Sequence, residues 1–194
     1  MKHPSQMSRT AILVEGALMV ALAFVLSMIP FIELPWGGKI SFFSTLPIFM
    51  MSLRHGGRWG VGTAAVYSLA QLLQGMEHVV VVGTLFAMVL CALLDYVVAY
   101  TVLGFAGPIS RRFKSPTTGL VAGIAITGLG RYICSFFSGW ILWGSWAWEG
   151  WPAWGYSLAY NALWCLPDLA IVLVAAVLLS RVKALGMLPE AASA

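Results

Sequence analysis

Apolar runs long enough to cross a bilayer recur along this chain, and they leave few folds open to it. A helix needs about 20 consecutive apolar residues to span the hydrocarbon core. Stretches of that kind begin near Ala11, Val79, Thr117 and Tyr156. No water reaches backbone amides in lipid, so each must pair within the protein and the spans must be helices. Of the 194 residues 60% are hydrophobic and 9% charged, and the mean hydropathy is +0.89, which excludes an ordinary soluble domain. The length suits an all-α membrane protein: one domain over residues 1–194, a single bundle of six transmembrane helices. The segment MKHPSQMSRT carries no cleavable-signal pattern, because the run after it has the length of a full span.

Proline, glycine and charge set the expected boundaries. The first helix runs from about Thr10 to Met28 and ends at Pro30 and a loop, PFIELPWGGK. The second covers about Ile40 to Leu53, and the third, after the turn RHGGR, Trp59 to Gln74. Counting back about 20 residues from Gly107-Pro108 starts the fourth near Ala87 and leaves Gly75 to Phe86 as a loop or lid. The fifth spans about Thr117 to Trp143 and the sixth Tyr156 to Ser180.

The basic residues orient the bundle. Lys2, Arg9, Arg54, Arg58, Arg111, Arg112, Lys114, Arg181 and Lys183 fall on one side of these spans. The other side has only Lys39, and Arg131 lies within a helix. By the positive-inside rule both termini, with tails at 1–9 and 184–194, are cytoplasmic. The net charge of +4 therefore belongs to the inner rim and gives no indication of nucleic-acid binding. Three cysteines inside apolar runs and three scattered histidines indicate neither a disulfide framework nor a metal or other cofactor site.

Seven of the nine tryptophans lie between Arg131 and Trp164, in the loop expected to face outward and the helix ends beside it. An interfacial belt accounts for most such rings. Rings stacked beside a carboxylate also form a cage for an organic cation. Asp95 and Asp168 fall within spans, where a charged side chain marks a site or an internal pair. At 1.5 Å per residue Asp95, Arg131 and Asp168 lie roughly 18, 21 and 20 Å from the inner boundary, in one layer. Two carboxylates and one guanidinium leave a formal charge of −1, which a bound monocation would cancel; alternatively Arg131 pairs with one acid and the other is uncharged or wet.

Arg131, Ser135, Gly139 and Trp143 recur every four residues and share a helix face. Gly139 lets either a flat ligand or a neighbouring helix come close. Tyr156, Tyr160 and Trp164 form a second stripe, and Asn161 lies about 140° around an ideal helix from Tyr156. On the first helix Ala17-x-x-x-Ala21 offers a small-residue face for a partner helix. No GxxxxGK[ST] phosphate loop is present, so any ATP is used by another protein.

The runs GRYICSFFSGWILWGSW, YSLAYNA, LLDYVVAY and EGALMVALAFVLSMIP resemble the thiamine-specific S-component of the energy-coupling factor vitamin transporters. The similarity extends from Ala11 to about Lys183. It implies a membrane subunit of the prokaryotic cytoplasmic membrane that captures thiamine from outside, partnered by a transmembrane coupling protein and two ATPases. It further implies that Trp36, Trp143 and Tyr156 supply rings around the ligand, that Asp95 followed by Tyr96 supplies the acid facing the thiazolium, and that Arg131, Gly139 and Asn161 fill a basic, a small and an amide position. In this family the face at Ala17 and Ala21 docks the coupling subunit. Two departures are visible. Asp95 stands where the family usually has glutamate, and Ser135 where histidine is expected. Both bear on pyrimidine contacts more than on cation recognition. An S-component for another vitamin and a self-sufficient organic-cation transporter are the alternatives. With no histidine in a span and no nucleophile elbow, an enzyme is disfavoured.

Overall fold

The computed structural model describes residues 7–182 and 185–187, apart from the Trp36 side chain. Lys2 and Lys183 and most of the two expected tails lie outside the described residues. Helix α1 is Arg9–Ser27, its first turn closed by Ser8 Oγ accepting from the Ala11 N–H at 3.2 Å. A hairpin follows: β1, Pro30–Glu33, pairs antiparallel with β2, Lys39–Ser41, placing Glu33 opposite Lys39, and the two form an ion pair at 3.1 Å. Next come α2, Leu46–His55; α3, Gly57–Gln74; and the short α4, Met76–Val81. The long helices α5, Leu85–Ser110; α6, Pro116–Leu142; and α7, Ala153–Ser180 complete the bundle.

Among the described residues four helices, α1, α5, α6 and α7, are long and apolar enough to cross a membrane. Their outward faces are apolar, with Leu85 and Phe86 78% and 77% exposed, as contact with lipid requires and water would not tolerate. Helix α2 is different. Ten residues reach only about 15 Å, and every one from Leu46 to Leu53 is buried. It forms the axis of the bundle, where Ile48 and Phe49 pack with Tyr67 of α3, Leu103 of α5, Ile124 of α6 and Val172 of α7.

Four boundaries differ from the sequence expectation. The loop after α1 is a hairpin, because Ile32 and Ile40 find each other across it. The second helix starts at Leu46 and not at Ile40, since Ile40 belongs to β2 and Pro47 fits only a first turn. The stretch Gly75 to Phe86 contains the helix α4. Finally, Gly107-Pro108 does not stop α5, which continues to Ser110. Pro108 lacks an N–H and so leaves the Gly104 carbonyl without its helical partner. Ser52 Oγ of α2 donates to that carbonyl and accepts from the Gly107 N–H at 2.8 Å, so the helix survives its proline.

Glu15, an acid in the first span that the charged-layer argument passes over, fastens α1 to the end of α2. It accepts from Arg54 and lies 2.9 Å from His55 Nε2. That clasp sits at the end of the bundle that carries Arg111, whose guanidinium lies against Gly56. At the opposite end, where α1 meets the tip of α3 and the hairpin folds over, the bundle is hollow.

Candidate functional site

The hollow is a cavity of about 130 Å³ walled by α1, the hairpin and α3 to α7. That is roughly ten times the 10–15 Å³ needed to hold one water, which leaves room for a small organic molecule. Asp95, Tyr96, Arg131 and Ser135 line it. So do Gly139, Trp143, Tyr156 and Asn161. Eight of the nine residues that the sequence singled out therefore surround one space. The ninth, Trp36, has its backbone in the 3-10 turn Pro35–Gly37 at the hairpin tip, while its side chain lies outside the description.

Asp95 and Tyr96 sit in a π-helical turn, Ala92–Val98, inside α5. Such wide turns inside α-helices are frequent at functional sites. The Asp95 carboxylate accepts from Ser138 Oγ and, at 3.5 Å, from Cys91 Sγ. Among the described residues no lysine, arginine or histidine forms an ion pair with it. Tyr96 donates its hydroxyl proton to the Gly75 carbonyl at 3.2 Å, tying α5 to the α3–α4 junction.

Arg131 is engaged elsewhere. Its Nη1 lies 3.2 Å from Asp168 Oδ2, its Nη2 donates to Tyr100 Oη at 2.9 Å, and its guanidinium carbon sits 4.4 and 5.0 Å from the ring centres of Tyr100 and Trp164. The other Asp168 oxygen accepts from the Ser41 N–H at 3.2 Å, which fastens the base of the hairpin. Of the two alternatives left open by the charged layer, the structure shows the pairing: Arg131 bonds to Asp168, and Asp95 is the acid left without a basic partner among the described residues.

Asn161 and Tyr156 do reach one cavity despite their separation around α7. The Asn161 amide is nevertheless taken up by the protein. Its Nδ2 donates to the carbonyls of Ser157, at 2.9 Å, and Ser135, at 3.2 Å, and its Oδ1 accepts from Trp164 Nε1 at 3.2 Å. Gly139 makes this α6–α7 contact possible, since a Cβ there would meet Asn161 Nδ2 at 3.1 Å.

The tryptophans divide as their two uses suggest. Trp143 and Trp164 line the cavity, whereas Trp140, Trp148, Trp151 and Trp154 are exposed. Trp148 still packs edge-on against Tyr156, which stacks on Tyr160 at 5.6 Å. Tyr160 also holds the hairpin tip, donating to the Pro35 carbonyl and accepting from the Gly38 N–H at 3.1 Å. The tip needs its glycines: a Cβ on Gly38 would come within 2.7 Å of Trp164, and one on Gly37, at φ +92°, within 2.8 Å of His78.

Sequence reasoning missed Gln71, Gln74 and His78, which line the same space. The signal was present. Tyr67, Gln71 and Gln74 follow the spacing i, i+4, i+7, a polar stripe on a helix of an otherwise greasy bundle.

A family profile described as thiamine transporter protein (Thia_YuaJ) matches residues 13–186. The thiamine transporter ThiT of Bacillus subtilis is 34% identical over 179 residues, 86% of this chain and 88% of its own. That of Lacticaseibacillus paracasei is 27% identical over 172 residues, 80% of each chain. A solved structure of ThiT from Listeria monocytogenes shares the fold, with a TM-score of 0.75 at 23% identity over 93% of this chain and 99% of that one. The profile runs through the π-turn aspartate, the charged pair and both aromatic stripes, and with the bacterial relatives it shows that this multi-pass membrane chain belongs to the thiamine transporter family, whose members transport and do not catalyse.

Proposed function

We propose that the chain is a substrate-capture subunit, an S-component, that binds thiamine from the outer face of the prokaryotic cytoplasmic membrane and passes it to an energy-coupling partner. One observation supports this reading above the others: among the described residues Asp95 has no basic partner, and it stands on the wall of a cavity lined by Tyr96, Trp143, Tyr156 and Trp164. Thiamine is a fixed cation with a flat neutral ring. A dry aromatic face contributes about 0.5–2 kcal/mol to a cation. The carboxylate, costly to bury alone, is compensated when the thiazolium arrives. Six crossing segments, the four long apolar helices together with α2 and α3, keep both termini on the basic, cytoplasmic side. The hairpin tip and α4 then cover the site from outside, and their movement admits the ligand.

Tryptophan-quenching titration of the detergent-purified protein tests this. Thiamine and pyrithiamine, both cations carrying the aminopyrimidine, are expected to quench with saturation near one equivalent, while riboflavin and biotin leave the emission unchanged. Tight binding of a neutral or anionic vitamin in place of thiamine would overturn the reading.

The energy-coupling partner, a transmembrane protein with two ATPases, docks on α1. Ala17 and Ala21 are both exposed there, while Gly16 and Ala23 turn inward. Ala17→Trp is expected to leave thiamine quenching intact and to abolish thiamine uptake by the assembled complex in proteoliposomes. Uptake at the wild-type rate would remove this face from the interface.

A further inference from the structure

We propose that Gln71 of α3 reads the neutral half of the ligand, its Oε1 accepting a hydrogen bond from the amino group of the aminopyrimidine. This rests on thiamine being the ligand and goes beyond the resemblance, which gives the amide position to Asn161. The two amides differ in what they have left to offer. Asn161 bonds within the protein through both its nitrogen and its oxygen. Among the described residues Gln71 bonds only through its nitrogen, to Ser27 Oγ at 2.8 Å and Tyr67 Oη at 2.9 Å.

The chemistry of Ser27 fixes which way that amide faces. A serine hydroxyl has one proton, and the Phe24 carbonyl at 2.7 Å is the nearer acceptor for it. With its proton there, Ser27 accepts from Gln71, so the NH₂ group faces it and the carbonyl oxygen faces away. No described residue donates to Oε1. Nor is that oxygen sealed in the packing without a partner. Gln71 is 6% exposed, and the space it lines is the cavity. A buried acceptor held in one orientation, with no donor among the described residues, suits a ligand that brings an N–H donor.

Gln71 thus supplies what Asp95 cannot. The carboxylate selects for positive charge and would take any flat cation of the right size. The fixed acceptor selects for an amino group on the uncharged ring, and a site built to bond a polar group rejects the analogue that lacks it.

The test compares thiamine with oxythiamine, in which a carbonyl replaces that amino group and would face the Gln71 carbonyl acceptor to acceptor. Wild-type protein is expected to bind oxythiamine about 10- to 100-fold more weakly than thiamine by tryptophan quenching. Gln71→Met keeps the length and removes the acceptor. It should weaken thiamine by a similar factor and move oxythiamine less than about threefold, so that the preference collapses. A packing role alone would weaken both ligands together. Ser27→Ala, which releases the amide from its fixed orientation without touching the cavity acceptor, should reduce the preference by at least threefold and decides the matter if Gln71→Met does not fold. A wild-type protein indifferent to the exchange, or variants that keep the full preference, would overturn the role of Gln71 while leaving thiamine as the ligand. A wild-type protein that binds neither compound would overturn both readings.

Discussion

Replacing Asp95 by asparagine is expected to weaken thiamine binding by about 2–4 kcal/mol, roughly 30- to 1,000-fold in Kd, the range found when one member of a buried charge pair is removed. The change is nearly isosteric. The hydroxyl of Ser138 and the thiol of Cys91 retain an oxygen to donate to, so the π-turn has no reason to rearrange. What disappears is a carboxylate that has no basic partner among the described residues. In the empty protein that charge is a liability, since its hydration is reduced and no cation replaces it. Asp95→Asn should accordingly unfold at the same temperature as wild type or a higher one, even as binding falls. Opposite movement of the two quantities is the diagnostic, and a destabilised variant would show that Asp95 is structural instead. Asp95→Glu, which supplies the acid the family usually carries, is expected to bind thiamine within about tenfold of wild type, because the charge is kept and only its reach changes. Titration of the three proteins, with thermal unfolding in the same detergent, checks the set; an asparagine variant within threefold of wild type would remove Asp95 from cation recognition.

Much of this arrangement is legible in the sequence, and for identifiable reasons. Hydropathy and the asymmetry of lysine and arginine give the long helices, because lipid leaves the backbone no other choice. Helix rise alone leads one to expect Asp95, Arg131 and Asp168 near one another, and the structure places Asp95 and Arg131 on one cavity and Asp168 against Arg131. Which acid takes the arginine does not follow, because depth carries no information about rotation around the bundle. That choice is made by Tyr100 and Ser41, residues far apart in sequence that happen to hold the other ends of the pair. The hairpin was invisible for a related reason: its strands are only four and three residues long, and Pro35, Gly37 and Gly38 between them read as a loop. The persistence of α5 through Pro108 depends on one hydroxyl, Ser52, from a different helix. Such long-range repairs leave no local trace.

Arg131→Leu is expected to destabilise the protein by about 3–5 kcal/mol, the cost of leaving a buried charge without its partner. Asp168 is 2% exposed, and nothing described besides Arg131 brings it a positive charge. Removing both charges, as Arg131→Leu with Asp168→Leu, should recover most of that loss, because an apolar pair of similar size is often as stable as a buried ion pair. The double variant still gives up the Asp168 bond to the Ser41 N–H, so the hairpin base should loosen even where the bundle holds. Thermal unfolding of the four proteins as a double-mutant cycle measures the coupling. Thiamine titration of the same set separates two roles for Arg131. If it acts by pinning Asp168 and, through it, the hairpin, the double variant keeps thiamine affinity within about tenfold and loses the ligand faster. If instead the guanidinium touched the ligand directly, affinity would fall equally in the single and double variants, whatever happened to stability. The geometry favours the first outcome: two of the arginine's donors are bonded within the protein, its plane is flanked by Tyr100 and Trp164, and its charge is already cancelled, whereas the charge that a thiazolium would cancel sits on another helix.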